Sequence, residues 1–330
     1  MAAVKICRIC GNTESNRDWR LPEVLLRKGE VFDYFECGSC GCLQIAEVPA
    51  ELGKYYPDDY YSFKRHDRLA RARVRGFFDR YRVRHQLGEP NLIGWLGSLF
   101  AKPLGYLEWV QGTGVRQDAR ILDVGCGSGK YLVQMALGGF TSCQGVDPFV
   151  PETLRYDNGV VVHKMSLDAL AEAEAPFDFI MMHHSLEHMP EQQAALKAVR
   201  ALLAPGGTLM IRIPVASSYG WRHYREHWVA LEPPLHLYLH THQSLRVLAA
   251  QAGLEVTHQY CDAPPNILMW SEIYQRTGDA RMGGNETCRE KLSRDEFRAF
   301  TALSARANHN DEGDLAVYFL KALDHDGAMP

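Results

Sequence analysis

Short apolar runs alternate with stretches of helical spacing from residue 119 onward. The first run, over 120–124, stops at glycines and is followed by a helical pattern over 130–137. A strand, a glycine turn and a helix in this order open a parallel α/β sheet. We therefore expect an α/β fold with a seven-stranded, mostly parallel sheet flanked by helices. The other six predicted strands lie at 142–146, 160–163, 177–182, 208–213, 254–261 and 315–320.

Two of the flanking helices, over 191–203 and 243–252, stop at glycines. The segment 262–313 is too long for a hairpin loop. It has helical patterns of its own at 267–276 and 291–306, so we interpret it as an insertion between the last two strands.

Composition narrows the class of protein further. The 330 residues are 46% hydrophobic and 23% charged, which is too apolar for a disordered chain and enough for one large core. The 36 Lys and Arg residues nearly balance the 40 Asp and Glu residues, and a formal net charge of −4 gives no global attraction to nucleic acid or to an anionic membrane. No stretch approaches the ~20 apolar residues of a membrane span. We therefore expect a soluble, cytoplasmic protein with no transmembrane segment.

The strongest local signal is the glycine turn after the first strand. Gly125, Gly127 and Gly129 let the backbone fold tightly and approach a ligand with no Cβ in the way. A nicotinamide fingerprint would need Gly or Ala at position 130, where this chain has lysine, so a dehydrogenase is disfavoured. Asp147 ends the second strand, where an acid accepts hydrogen bonds from the hydroxyls of a ribose. The pattern predicts a nucleoside ligand.

This segment resembles the class I S-adenosylmethionine-dependent methyltransferases, whose motif is an acid, one residue and G-x-G-x-G. Further segments match that family in the correct order along about 119–254. The resemblance implies a Rossmann-like fold, S-adenosylmethionine as cofactor, and an adenine contact after the third strand. The cofactor-binding residues that it implies are Asp123, Gly125, Gly127, Gly129, Asp147, Ser166, Leu167 and His184.

Five of the nine cysteines lie within the first 42 residues, which favours a metal site in a reducing compartment over a disulfide framework. Cys7 and Cys10, and Cys37 and Cys40, form two copies of C-x-x-C-G, a spacing that points four thiolates at one Zn²⁺ ion. Cys42 lies outside the repeated pattern, although it is able to substitute for Cys40. Four thiolates saturate the metal, so we expect structural zinc, with a redox pair or an open catalytic metal as the alternative.

These features divide the chain into three predicted domains. Residues 1–48 form a zinc-binding module, 49–118 an aromatic and basic helical connector and lid, and 119–330 the methyltransferase domain with an insertion at about 262–313. A four-cysteine module before such a domain resembles the zinc-containing sugar C-methyltransferases of polysaccharide and nucleotide-sugar biosynthesis. We do not expect in these 330 residues the large second C-terminal domain of the longer members. The resemblance implies a small-molecule acceptor, a sugar or a nucleotide-sugar or glycan precursor.

The connector offers three further hypotheses. The tyrosines at 55, 56, 60 and 61 either stack on a substrate or pack the connector. Residues 64–87 contain nine Lys or Arg and two Asp, which is either a solvated helix face or a site for a phosphate-bearing sugar. The apolar stretch 91–110 is interpreted as a helical lid, with a peripheral membrane contact as the alternative.

Histidine is the residue type expected to activate an acceptor hydroxyl. His236, in the segment Pro233-Pro234-Leu235-His236, is our first candidate for the general base, His227 is the second, and His184 lies after the fourth strand. The pair Glu187-His188 is interpreted as structural.

Two rival functions remain open. The first is a methyltransferase whose zinc module binds RNA. It is disfavoured because the residues after the fourth strand are Met181-Met182-His183-His184, whereas enzymes that methylate the amino groups of nucleobases have N-P-P-Y or D-P-P-Y there. The negative net charge also disfavours nucleic acid as a partner. A non-catalytic scaffold with the same fold is disfavoured by the intact acid and glycine positions.

Overall fold

A computed structural model describes residues 4–24, 26, 29–56, 61–101, 104–173, 176–280 and 285–323. The strands of the described chain are β1 (Arg17–Pro22), β2 (Val31–Glu36), β3 (Leu43–Ile45), β4 (Arg120–Val124), β5 (Ser142–Val146), β6 (Leu154–Arg155), β7 (Val161–His163), β8 (Phe177–His183), β9 (Leu203–Pro214), β10 (Tyr238–Leu239), β11 (Leu254–Cys261) and β12 (Leu315–Ala322). The α-helices are α1 (Asp67–Ala70), α2 (Arg73–Gln86), α3 (Leu92–Phe100), α4 (Leu107–Val110), α5 (Lys130–Leu137), α6 (Leu167–Ala173), α7 (Gln192–Leu202), α8 (Tyr219–Tyr224), α9 (His242–Gln251), α10 (Asn266–Thr277), α11 (Asn285–Lys291) and α12 (Arg294–His309).

The larger of two sheets has the strand order β11-β12-β9-β8-β4-β5-β7-β6. Strand β4 pairs in parallel with β5 and β8, and β5 pairs in parallel with β7. All seven predicted strands are present, and the predicted mostly parallel α/β fold is confirmed. The predicted strand number is one too low, because the two-residue strand β6 adds an antiparallel edge beside β7. A segment that short has no periodicity to detect.

Strand β4 lies inside this sheet and is buried on both faces. Ile121 and Leu122 are fully buried, and Ile121 lies opposite Phe179 of β8. A strand buried on both faces is a continuous apolar run in sequence, which is why this strand was predicted with its correct limits. Helix α5 follows the glycine turn and buries Leu132 and Met135.

A second sheet joins the N-terminal strands to a distant one, in the order β1-β2-β3-β10. All of its pairings are antiparallel, and Leu43 of β3 lies opposite Leu239 of β10. The Arg8 side chain reinforces this junction, since its Nε donates to the Tyr238 hydroxyl at 2.8 Å. The cysteine-rich segment is therefore part of a sheet that the sequence pattern did not predict.

The chain divides into two compact units, each assembled from separate stretches of sequence. The first comprises residues 1–57, 186–193 and 212–318, and the second comprises 58–185, 194–211 and 319–330. In the first unit, Trp270 and Ile273 of α10 and Cys288 of α11 form a buried apolar core with Val229. The segment interpreted as an insertion is thus helical, as expected. The predicted domain boundaries at 48 and 118 stay predictions.

Helix α3 is the apolar part of the connector, and it exposes several of its side chains. Leu92 is 69% exposed and Phe100 is 87% exposed. No helix in the described ranges has both the length and the hydropathy needed to cross a bilayer. The lid interpretation and its alternative, a peripheral membrane contact, both stay predictions.

A buried carboxyl in the first unit makes stability depend on pH. Asp314 is 1% exposed, accepts a hydrogen bond from Trp228 Nε1 at 2.7 Å, and has its pKa raised by burial from 3.8 to about 7. Between pH 4 and pH 7, Asp314 is therefore protonated in the folded chain and ionised in the unfolded chain. Its contribution to the free energy of unfolding falls as pH rises through this range and is constant above about pH 7.

We expect Asp314→Asn to remove this dependence. The stability of the variant relative to wild type should rise by about 2–3 kcal/mol between pH 5 and pH 8. Urea unfolding of both proteins at pH 5, 6.5 and 8 measures the difference. If the free energies of unfolding of the two proteins change with pH in parallel, Asp314 has the same pKa in the folded and unfolded chains, and the prediction is wrong.

Candidate functional site

The glycine turn after β4 has the backbone geometry that its sequence predicts. Gly125, Gly127 and Gly129 have φ values of 71°, 54° and 76°, in the left-handed region that favours glycine. The amide of Gly125 donates to the Val146 carbonyl at 2.8 Å. The amide of Gly127 donates to Oδ2 of Asp147 at 2.8 Å, so the predicted ribose acid also holds the turn.

The turn is so closely packed that side chains are excluded from it. A Cβ on Gly125 would lie 2.5 Å from Cβ of Ser185, and one on Gly127 would lie 2.5 Å from the Ser62 carbonyl oxygen. Neither approach is tolerable for a carbon atom, so glycine is required at both positions.

Two acids lie at this turn, and both are buried. Asp123 is 3% exposed and Asp147 is 5% exposed. Burial first, and the charge of Asp147 second, raise the pKa of the Asp123 carboxyl well above its usual range. Asp123 Oδ1 and the Ser185 hydroxyl are buried without a hydrogen-bond partner in the described chain. Buried polar atoms of this kind are normally satisfied, so their presence beside a glycine cradle indicates a ligand site.

A segment of the connector covers the turn, which the sequence did not reveal. Ser128 donates to the Ser62 carbonyl through its amide at 2.7 Å and to the Lys64 carbonyl through its hydroxyl at 2.7 Å. The Tyr156 hydroxyl donates to the Ser128 carbonyl at 2.7 Å. The sequence could not predict that residues 62–64 contact Ser128, because the acceptors in these hydrogen bonds are backbone carbonyls, which every residue has. Of the four tyrosines noted above, residue 60 and the side chain of residue 61 lie outside the described part.

Aromatic rings gather where β8 ends. The His183 ring lies 4.9 Å from Trp109, 4.7 Å from Tyr131 and 4.7 Å from His184, measured between centroids. His184 has a φ of 52°, in the left-handed region that is uncommon for residues with a side chain, and such residues cluster at functional sites. Aromatic faces attract cations such as a sulfonium, and this geometry is compatible with a role of His184 in cofactor binding. That role stays a prediction.

The two residues predicted to contact adenine lie at the start of α6. Ser166 is exposed, and its hydroxyl accepts a hydrogen bond from the Ala169 amide at 3.3 Å, which caps the helix. Leu167 is the first residue of the helix and is half-buried. The capping bond explains Ser166 locally, and the adenine contact stays a prediction.

Four N-terminal sulfurs converge in the first unit. Sγ atoms of Cys7, Cys10, Cys37 and Cys40 lie within 4.8 Å of one another, and the Cys7–Cys40 and Cys10–Cys37 pairs are 3.7 and 3.5 Å apart. A tetrahedron of Zn–S bonds of about 2.3 Å has edges of about 3.8 Å, so the cluster has the size that zinc requires. Cys42 is fully buried but is not one of the four.

The surroundings of the sulfurs suit thiolates. The Gln44 side-chain amide donates to Cys7 Sγ at 3.1 Å, and the Asn12 side-chain amide donates to Cys37 Sγ at 3.7 Å. The hydrogen bond from the Cys40 thiol lowers the pKa of Cys7. Outer-shell donors of this kind hold metal-binding thiolates in place.

The three candidate catalytic histidines have different surroundings. His236 is 4% exposed and lies with Glu187 and His188, one ligand atom of each residue being within 4.8 Å of the others. His227 is half-buried and packs on Tyr274, with centroids 5.0 Å apart, and is not in that group. His184 belongs to the aromatic group at the end of β8. The pair Glu187-His188, interpreted from sequence as structural, is thus brought together with our first candidate base.

Most of the described arginines of the basic connector are paired. The pairs, with their N–O distances, are Arg65–Asp67 at 2.9 Å, Arg71–Asp157 at 2.7 Å, Arg75–Asp79 at 3.1 Å, Arg82–Asp79 at 3.0 Å and Arg84–Glu89 at 2.8 Å. Arg82 and Asp79 are both buried, whereas the other four arginines are exposed. Exposed arginines that are already paired favour the solvated-face interpretation over a phosphate site.

Residues 99–259 match the family described as "Methyltransferase domain", a match just under half the length of the chain. Curated relatives include the ubiquinone biosynthesis O-methyltransferase of Xylella fastidiosa strain M23, 37% identical over 102 residues, which are 28% of this chain and 41% of the relative. The enzyme of that name from Ralstonia nicotianae is 32% identical over 109 residues, 31% of this chain and 45% of the relative. The chain therefore matches less than half the length of these relatives.

Among solved structures, an S-adenosylmethionine-dependent methyltransferase from Mesorhizobium loti is 14% identical with a TM-score of 0.41. The alignment covers 66% of this chain and 97% of that one.

Proposed function

We propose that the protein is an S-adenosylmethionine-dependent methyltransferase acting on a hydroxyl group of a small molecule. The observation that carries the proposal is the cradle at the glycine turn. Gly127 has no room for a Cβ, Asp147 anchors the turn, and Asp123 and Ser185 keep buried polar atoms without partners in the described chain. The match to the methyltransferase-domain family includes this whole turn.

The residues at the turn fit this cofactor better than a dinucleotide. Lys130 follows the last glycine, at the position where a nicotinamide fingerprint needs Gly or Ala. Asp147 accepts hydrogen bonds from the amides of Gly127 and Phe149, which hold its carboxylate at the turn, and we propose that it binds the ribose hydroxyls there. When bound, the cofactor supplies an electrophilic methyl group on a sulfonium. The aromatic group around His184 is proposed to favour that cationic ligand, and the buried Asp123 carboxyl is proposed to form a hydrogen bond with the cofactor.

An oxygen acceptor is supported by the names of the curated relatives, which are O-methyltransferases of ubiquinone biosynthesis. The sugar or nucleotide-sugar acceptor, inferred from the resemblance to zinc-containing sugar C-methyltransferases, has no support from these names. We therefore propose a hydroxylated small molecule, with phenols as the first class to test and sugars as the second.

His236 is proposed to act on the acceptor hydroxyl, in preference to His227 and His184. It is the only one of the three grouped with a carboxylate and a second imidazole in the described chain. Its backbone carbonyl accepts a hydrogen bond from the Tyr34 hydroxyl at 2.9 Å, which fixes its position.

The four cysteines are proposed to hold structural zinc. All four positions of a tetrahedral ion are filled by protein sulfur, which leaves none for a substrate. The metal would thereby stabilise the short N-terminal strands that pack beside it.

The test is calorimetric titration of the full chain with S-adenosylmethionine and with S-adenosylhomocysteine, followed by methyl-transfer assays with phenols, sugars and RNA. We expect one molecule of either cofactor form to bind per chain, and transfer to a phenol or a sugar. Transfer to RNA alone would establish the nucleic-acid hypothesis in its place. Folded protein that binds neither cofactor form would leave the scaffold hypothesis.

A further inference from the structure

Large apolar side chains are exposed on two helices of the second unit, α2 and α3, which pack on each other. On α2, Val74 is 77% exposed, and Phe77 and Phe78 are each 51% exposed. On α3, the exposed apolar side chains are those of Leu92, Ile93, Trp95, Leu96, Leu99 and Phe100. These nine, which we call the α2–α3 face, are most of the fourteen large hydrophobic side chains exposed in the described chain. Apolar surface concentrated in this way marks an interaction site.

Helix α3 packs on α2 through its small residues and turns its large residues outward. A Cβ on Gly94 would lie 2.7 Å from Cβ of His85, and one on Gly97 would lie 2.9 Å from Cγ of Arg82, so the two helices approach closely. At about 100° per residue, Gly94, Gly97 and Ser98 share one side of α3, and the exposed apolar residues occupy the other. The helix has no charged residue, and the Ser98 hydroxyl donates to the Gly94 carbonyl at 2.7 Å. A surface helix normally has the opposite arrangement, with its large apolar residues towards the protein.

Helix α2 also has an apolar stripe that faces away from the core. Val74, Phe77, Phe78 and Tyr81 follow one another at helical spacing, which places them on one side. The Phe77 ring lies 5.5 Å from that of Phe78 and 5.0 Å from that of Tyr81, measured between centroids. Val83, on the opposite side, is fully buried. Packing against the core therefore explains one side of α2 and leaves the stripe without a role inside the described chain.

Basic side chains border this stripe. By helical rotation Arg75 lies at one border and Arg80 and Arg84 lie at the other, and all three are exposed. Arg75 and Arg84 have acidic partners, whereas Arg80 has no ion-pair partner within the described ranges. Residues 64–87 contain nine Lys or Arg against two Asp, so the local field stays positive in a chain whose net charge is negative.

We propose that the α2–α3 face docks the protein on an anionic phospholipid bilayer. Trp, Phe and Leu on one side of a helix, with Arg at its borders, are typical of helices that lie in the membrane interface. The nine residues of α3 span only about 13 Å, against a hydrocarbon core of about 30 Å, so the helix lies along the interface and does not cross it. The inference does not depend on the proposed methyl transfer.

Charge favours a bilayer over a second copy of the chain as the occupant of this face. A symmetric dimer contacts itself through the same surface on both copies. Contact through the α2–α3 face would therefore bring two positively charged segments together, and like charges across an interface disfavour association. Anionic headgroups attract the same segments, at about 1 kcal/mol for each Lys or Arg near the surface.

The test is co-sedimentation of the zinc-loaded full chain with two kinds of vesicle, one of phosphatidylcholine alone and one of phosphatidylcholine mixed with phosphatidylglycerol. We expect binding to the anionic vesicles, and weaker binding as salt is added. Leu99→Ser/Phe100→Ser should weaken that binding at least about tenfold, because two apolar side chains no longer enter the lipid. Arg80→Glu should weaken it at least about fivefold and reduce its dependence on salt.

The matched control is Val31→Ser/Leu323→Ser, which removes two exposed apolar side chains that are not part of the face. It should bind the anionic vesicles as wild type does, and thermal unfolding shows that each variant is folded. Sedimentation of wild type with neither vesicle, or equally with both, would overturn the proposal. So would equal binding by wild type and Leu99→Ser/Phe100→Ser. A wild-type dimer in analytical ultracentrifugation that this double variant fails to form, without vesicle binding, would make a second copy the occupant.

Discussion

Gly127→Ala is expected to abolish measurable binding of S-adenosylmethionine. An alanine Cβ would lie 2.5 Å from the Ser62 carbonyl oxygen, and the backbone there has a φ of 54°, which costs a residue with a side chain about 1–2 kcal/mol. Relief of the clash requires the turn to move, and the same residue donates to Asp147 at 2.8 Å. We expect affinity to fall at least 100-fold, or about 2.7 kcal/mol, by calorimetry.

Gly159→Ala is the matched control for this substitution. Its φ is 89°, so it has a comparable conformational cost, but a Cβ there meets nothing within 4 Å. The control should lose only the conformational cost of about 1–2 kcal/mol and keep the wild-type affinity for the cofactor. Equal cofactor affinities of the two variants would show that the turn at 125–129 is not the binding cradle.

Cys40→Ser is expected to release the metal from the four-cysteine group and to unfold the N-terminal strands. Its sulfur is one of four that approach within 4.8 Å of one another, and serine offers a much poorer ligand. Loss of a structural metal is among the few single changes that cost more than about 4 kcal/mol. Cobalt substitution reports the site through its thiolate charge-transfer absorption, and hydrogen exchange reports strands β1 to β3.

The control is Cys42→Ser, in the same module. Cys42 is also fully buried, yet its sulfur is not one of the four. We expect this variant to keep the charge-transfer band and the protection of the strands, at the modest cost of a buried hydroxyl. The opposite result, a band kept by Cys40→Ser and lost by Cys42→Ser, would make Cys42 the fourth ligand.

Local patterns were sufficient to predict several elements with their limits. Strands β4, β5 and β11 and helix α5 have the predicted limits, because each is an apolar or periodic segment bounded by polar residues or glycines. Two-residue strands such as β6 and β10 leave no pattern, and their existence depends on partners elsewhere in the chain. Strand β9 begins at Leu203, before the predicted 208, so it includes the Pro-Gly-Gly segment that the sequence indicated only as a helix stop.

The candidate site likewise contains residues that a local motif identifies and residues that only the tertiary fold brings together. Asp123, the three glycines and Asp147 lie within 25 residues and form a motif, so they could be identified as a group. Glu187 and His236 are 49 residues apart, and their proximity is a product of the tertiary fold. The Ser62 carbonyl is a backbone group that any residue offers, so no sequence could have indicated its place over the turn.

The junction of β3 with β10 has a consequence for biosynthesis. Leu43 finds its partner, Leu239, only after 196 further residues have been translated, which takes roughly 10–40 s at ~5–20 residues per second. During that interval the cysteines are already able to capture their ion, but one side of β3 has no strand to pair with. An unpaired strand edge is an open template for other chains. The nascent chain is therefore exposed to misassembly through the unpaired edge of β3 until β10 has been made, and chaperone protection of that edge would matter during this interval.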